Sequence, residues 1–220
     1  MQTIYPQRMR MTTGQQRAWD RSWPRWGANI SDLPEGPLDI AGWFGRTAPI
    51  VLEIGSGMGE ATASMALAAP DVDHLAVEVY RPGLAQLLLR IEQAQITNLR
   101  LLHGNAYSLL HDHVPKGSLH AVRIYFPDPW PKRRHHKRRL IDSEFVALVA
   151  SRLVTGGTLH LATDWESYAQ QMLAVCTAEP TLCNTAAEFA TRPLWRPVTK
   201  FEQRAREEGR VVRDLLFTRC

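Results

Sequence analysis

Several kinds of protein are excluded by what this sequence lacks. It has only three cysteines, Cys176, Cys183 and Cys220, an odd number without metal-ligand spacing. Neither a disulfide framework nor a zinc site is expected, no metal is called for, and a reducing cytoplasm fits best. No apolar run reaches membrane-spanning length. The first residues hold Arg8 and Arg10 among polar neighbours with no apolar stretch behind them, which does not read as a secretory signal. Internal repeats are missing, and biased composition is confined to one basic run.

What the sequence does have is cations gathered in three places. Residues 1–25 carry five arginines against Asp20, residues 132–139 carry six Lys or Arg and no acid, and residues 192–219 carry eight Lys or Arg against four acids. These segments hold +4, +6 and +4, so a net charge of +4 leaves the rest of the chain at −10. Such segregation offers a basic face to phosphates on an acidic body, the footprint of a nucleic-acid binder. With 220 residues and 45% apolar content, one sizeable core can form. Residues 1–48, basic and rich in Trp and Pro, are expected to be an N-terminal arm, and 49–220 a single domain.

Ile50–Ile54 is a short apolar run between Pro49 and Gly55, the pattern of a buried parallel strand. Further strands are expected at His74–Val79, Leu99–His103, Leu119–Phe126, Thr158–Thr163 and Val211–Phe217. Helices are expected at Ala61–Ala69, Leu84–Ile91, Ser143–Leu153, Glu166–Ala178 and Lys200–Glu208. Alternation of this kind implies right-handed crossovers and an α/β fold with a doubly wound, mostly parallel sheet. Ligands bind such sheets beyond the carboxyl ends of the strands, and two motifs fall there.

The first motif is Glu53-Ile54-Gly55-Ser56-Gly57-Met58-Gly59, a turn between the first strand and the first helix. Gly55, Gly57 and Gly59 let a ligand approach the backbone, but their spacing is one residue short of the dinucleotide fingerprint. Glu53 and Glu60 flank the turn; acids there repel a diphosphate and suit a cation such as S-adenosylmethionine, with its sulfonium and ammonium groups. Glu78, ending the second strand, can accept from both hydroxyls of a ribose, and Asn105, after the third, from an adenine amino group. For both, an ordinary turn role is the alternative.

The second motif is Phe126-Pro127-Asp128-Pro129-Trp130-Pro131, followed without a break by Lys132, Arg133, Arg134, His135, His136, Lys137, Arg138 and Arg139. The prolines aim the Asp128 carboxylate before anything binds. Phe126 and Trp130 offer faces on which a base can stack, worth ~1–3 kcal/mol per base. The basic run directly after a strand-end turn favours phosphate binding over a merely solvated segment.

Together with Thr13, Gln15, Gln16 and Ala18 in the leader, Val77-Glu78-Val79 with Pro82-Gly83, Ala162-Thr163-Asp164-Trp165-Glu166, and Arg196-Pro197 with Thr199-Lys200-Phe201-Glu202, these motifs carry a resemblance over nearly the whole chain. The sequence resembles the tRNA (guanine-N7-)-methyltransferase family of bacterial single-subunit type. That resemblance implies a class I, Rossmann-like sheet of seven strands with an antiparallel C-terminal strand, S-adenosylmethionine as cofactor, and tRNA as partner, methylated on a guanine of the variable loop. It places the cofactor against Glu53, the glycine turn, Glu78, Asn105 and Asp128, with Asp128 at the junction of cofactor and base. Lys132, Asp164, Thr199, Lys200, Phe201 and Glu202 map to the substrate side.

Guanine N7 carries a lone pair and no proton, so transfer needs alignment and charge stabilisation rather than a general base. Asp128 is expected to stabilise the positive charge arriving on the ring, and Asp164 and Glu202 to accept from the guanine N1–H and amine. For each a helix cap or a surface partner is the alternative, and Asp164, which precedes a helix, would cap it well. Asn105, Pro131, Ala205 and Arg210 stand where the family usually has Asp, His, Gly and His. Two rivals stay open on sequence alone: a non-catalytic RNA-binding homologue and a nucleotide-dependent oxidoreductase.

Overall fold

The structure, a computed structural model, describes residues 10–220. Arg8 and the other residues before Arg10 lie outside the described residues. The chain divides into two compact units, one ending at Pro115 and the other running from Lys116 to Cys220.

The first unit opens with α1 (Thr13–Trp26), where the leader is expected only as an arm. Its start is a capping box: Thr12 Oγ1 accepts from the Gln15 amide, and Gln15 Oε1 accepts from the Thr12 amide. Ala18, Trp19, Ser22 and Trp23 recur at helical spacing and are buried, with the two indoles stacked 3.9 Å apart. Arg21 and Ser22 both reach Glu92, so this arginine ties the helix to the rest of the unit. Then come β1 (Gly27–Asn29), α2 (Ile40–Phe44), β2 (Ile50–Ile54), α3 (Glu60–Ala68), β3 (Asp73–Glu78), α4 (Arg81–Ala94), β4 (Leu99–His103) and the single turn α5 (Ala106–Ser108). β1, β4, β3 and β2 pair in parallel, and β3 is buried along its whole length, as a strand covered on both faces must be.

The second unit comprises β5 (Leu119–Tyr125), α6 (Ser143–Arg152), β6 (Leu153–Thr163), α7 (Glu166–Ala178), β7 (Leu182–Asn184), α8 (Lys200–Glu207) and β8 (Arg213–Arg219). β5 and β6 are parallel, whereas β8 runs antiparallel to both β6 and β7. The strand order is β1-β4-β3-β2 in the first unit and β5-β6-β8-β7 in the second; among the described residues the three-residue strands β1 and β7 add to the expected set, making eight strands rather than seven.

One expectation is corrected outright. Cys183 and Cys220 form a disulfide across 37 residues. Pairing of β7 with β8 sets Leu182 opposite Arg219, which brings the C-terminal cysteine beside Cys183; nothing local in the sequence reports that neighbourhood. Cys176 is free and buried, and burial pushes its thiol up to about 12. Among the described residues no helix is long and apolar enough to cross a membrane, and no cluster of potential metal ligands occurs.

Candidate active site

In the first unit the glycine turn follows β2 and opens α3. Gly55, Gly57 and Gly59 have φ of 83°, 55° and 74°, a backbone that side chains resist. A Cβ on Gly55 or Gly57 would meet nothing within 4 Å, so open space lies before the turn. Gly59 instead needs its bareness for packing, since a Cβ there would strike Leu87 on α4. Glu78 holds the turn from the end of β3. One of its oxygens accepts from the Gly57 amide at 2.9 Å, the other from the amides of Val79 and Tyr80 at 2.7 and 2.9 Å.

Glu53 and Glu78 are both buried. Ser56 Oγ is buried without a hydrogen-bond partner among the described residues. A polar cradle with spare hydrogen-bonding capacity and two buried acids fits a polar, cationic nucleoside such as S-adenosylmethionine. The charge argument is narrower than expected, because Glu60 pairs with Arg90 at 2.8 Å. Asn105 is exposed and caps α5, its Oδ1 accepting from the Tyr107 amide at 2.7 Å; the turn role foreseen for it is therefore realised.

In the second unit β5 ends at Tyr125, and the Phe126 amide donates to Ala162 on β6 at 2.8 Å. The following turn carries φ of 51° at Phe126 and 44° at Trp130, both left-handed, both non-glycine and both immediately before a proline. Residues before proline prefer extended backbone, so this conformation is costly and is imposed by its surroundings. The result presents Asp128 to solvent, and among the described residues its carboxylate makes no hydrogen bond or ion pair. Crowding strips part of its hydration and raises its pKa above the ordinary value.

Arg139 locks the turn from beneath. It is buried, donates to the Pro129 carbonyl at 2.8 Å, and reaches Ser167 and Gln171 on α7. The expectation that the whole basic run meets phosphate thus fails at its last member. Lys132, Arg133, Arg134, Lys137 and Arg138 are exposed, and among the described residues none pairs with a carboxylate. Arg138 lies over Trp130, 5.0 Å from the ring centroid, which covers one face of that indole.

On the substrate side, Asp164 does not cap α7, whose first cap is Trp165 without a side-chain bond. Its Oδ2 accepts instead from Arg210 Nε at 2.7 Å, so one departure from the family pattern bears directly on a residue expected in the site. Thr199 caps α8, accepting from the Glu202 amide. Lys200 and Phe201 are exposed, and Phe201 stacks on Phe126 with centroids 6.0 Å apart and planes 20° from parallel. Glu202 differs from expectation. It is 1% exposed and engaged by Arg196, Arg206 and Arg192, leaving it no access to a base.

Four residues given no role from the sequence lie behind this site. Tyr125 OH bonds His160 Nδ1 at 2.9 Å, His160 Nε2 bonds Asp214 at 2.7 Å, and Arg196 forks onto both Asp214 oxygens at 2.7 and 2.8 Å. Burial holds His160 below its ordinary pKa in spite of Asp214, which keeps the ring neutral. Burial alone would raise Asp214, but His160 and Arg196 lower it. The available signal was a His and an Asp interrupting apolar strands, at Leu159-His160-Leu161 and beside Leu215-Leu216.

A family model described as a putative methyltransferase matches residues 47–215. The tRNA (guanine-N(7)-)-methyltransferase of Streptomyces avermitilis is 50% identical over 221 residues, covering 100% of this chain and 75% of that protein. The enzyme of the same name from Nitrosomonas eutropha is 51% identical over 206 residues, covering 94% of this chain and 91% of that protein. Among solved structures, the 16S rRNA methyltransferase KamB is similar with a TM-score of 0.58 at 14% identity, over 78% of this chain and 87% of that one, a likeness of fold alone. Identity at this level along the whole chain leaves no room for the oxidoreductase alternative, and the protein belongs to the tRNA (guanine-N(7)-)-methyltransferase family.

Proposed function

We propose that this chain transfers a methyl group from S-adenosylmethionine to N7 of a guanine in tRNA, in the variable loop, giving 7-methylguanosine. The observation that carries the reading is Asp128, a partly dehydrated carboxylate without a partner among the described residues, on a turn with left-handed backbone on both sides and five exposed cations following. S-adenosylmethionine supplies, when bound, a methyl group activated by a sulfonium. Glu53, Glu78, Asn105 and the turn from Gly55 to Gly59 are the residues of the first unit that would hold it.

Because N7 already has a free lone pair, the protein has only to orient the base and stabilise charge. Asp128 stabilises the positive charge that reaches the guanine ring; an anion oriented in advance does this better than water, which must reorganise. Asp164 accepts from the guanine edge through Oδ1, while Arg210 fixes its other oxygen. Lys132, Arg133, Arg134, Lys137, Arg138 and Lys200 hold phosphates, giving affinity without sequence information. Thr199 and Phe201 shape the base site, and Glu202 supports them from behind. The choice of guanine then comes from tRNA shape and access to an unstacked base. The work belongs in the cytoplasm, with its substrate.

The test is purified chain with unmodified tRNA and methyl-labelled S-adenosylmethionine, followed by borohydride–aniline scission. Label in the RNA with cleavage at one variable-loop guanine is expected. Label without cleavage, or no label, would contradict the proposal.

A further inference from the structure

Buried polar groups in the second unit form a closed circuit around the base of the Asp128 turn. It starts at Tyr125, the last residue of β5 before the turn, and passes through His160 on β6 and Asp214 on β8 to Arg196. Arg196 Nη1 then donates to Glu202 Oε2 on α8 at 2.6 Å. Next to Glu202 in sequence is Phe201, whose ring stacks on Phe126, the residue after Tyr125. Arg196 is 0%, His160 1%, Glu202 1% and Asp214 2% exposed, so the hydrogen-bonded links run through dry interior, while the Phe201–Phe126 stack that closes the circuit lies at the surface.

A network of this kind is a poor source of stability, since well-packed apolar residues would serve as well or better. What it supplies is a single arrangement. With His160 neutral, Nε2–H donates to Asp214, so Nδ1 must accept from the Tyr125 hydroxyl, and each hydrogen bond has one allowed direction. Arg196 satisfies two carboxylates from two different elements with a planar fork that lysine cannot reproduce.

We infer that Arg196 is a positioning residue of the methyl-transfer site: through Glu202 it sets α8 so that Phe201 lies against Phe126, and through Asp214, His160 and Tyr125 it ties that pairing to the strand bearing the Asp128 turn. Arg196 touches neither substrate nor cofactor. Its effect passes through Phe201, and that dependence separates positioning from general support.

This inference rests on the function proposed above, and its test is a double-mutant cycle on labelled tRNA methylation. Arg196→Lys is expected to lower kcat about tenfold or more, with S-adenosylmethionine affinity by calorimetry within about twofold, and to add nothing further in a Phe201→Ala background. If Arg196→Lys does not fold, Tyr125→Phe, which removes one oxygen from the circuit, enters the same cycle; a loss of about threefold that disappears in the Phe201→Ala background is expected. Additive losses, or unchanged kcat, would overturn the inference while leaving the proposed function intact. Failure of the unaltered chain to make 7-methylguanosine would overturn both.

Discussion

The carbonyl oxygen of Gly57 stands where a Cβ on Gly83 would have to be, only 2.1 Å away. Gly83 lies in the first turn of α4, so the bare α-carbon is what allows that helix to close on the glycine turn. The obstacle is backbone and cannot swing aside. Gly83→Ala should therefore displace Gly57 and weaken S-adenosylmethionine binding about tenfold or more, in line with overpacking costs of ~1–3 kcal/mol. Calorimetry that finds unchanged cofactor affinity would remove the turn from the cofactor site.

Two classes of arginine sit in one basic run. Replacing exposed Arg133 and Arg134 with Ala should weaken tRNA binding and flatten the plot of log K against log salt by about 0.7–0.9 for each phosphate no longer neutralised. Arg139→Ala should leave that slope alone and instead cost about 3 kcal/mol of stability, because its partners are left buried and unsatisfied. Binding titrations across a salt series and chemical denaturation separate the two effects.

Asp164 and Arg210 form one unit at 2.7 Å. Asp164→Asn should lower kcat/KM for tRNA by about 10–100-fold, the range of a broken charged hydrogen bond at a base edge. Arg210→His, which can still donate to Asp164, should stay within about threefold of the unaltered chain. Steady-state kinetics on tRNA checks both, and an inert Asp164→Asn would place that residue in the fold alone.

The raised pKa of Asp128 has opposite consequences for activity and stability. In the proposed role Asp128 acts as the carboxylate, so kcat should climb with pH along an acid limb set above the ordinary aspartate value. Stability runs the other way. The folded state holds the proton more tightly than the unfolded state, so stability falls as pH rises between the two pKa values and stays reduced above both. Asp128→Asn should accordingly melt higher than the unaltered chain at neutral pH and lose that advantage in acid. Equal melting temperatures at both pH values would argue against dehydration at this position.

Where apolar period and turn chemistry agreed, the elements were legible in the sequence. Leu99–His103 and Glu166–Ala178 fall where expected, as does β2 between Pro49 and Gly55. α1 was hidden by its own composition, since Pro24 and three tryptophans disguise a helical stripe that packing against α4 and β4 makes stable. The left-handed residues at Phe126 and Trp130 could not be foreseen, because sequence preference before proline points to extended backbone. Long-range pairing explains the rest. The Cys183–Cys220 bond, the capture of Glu60 by Arg90 and the burial of Glu202 depend on partners that only the folded chain brings together.

The carboxylate of Asp128 bears the weight of this account, and single-turnover methylation by Asp128→Asn, with cofactor and tRNA both saturating, tests it most directly. A rate about 100-fold or more below that of the unaltered chain, with tRNA affinity within about twofold, is predicted for loss of a prepositioned charge. A rate within about twofold would contradict it.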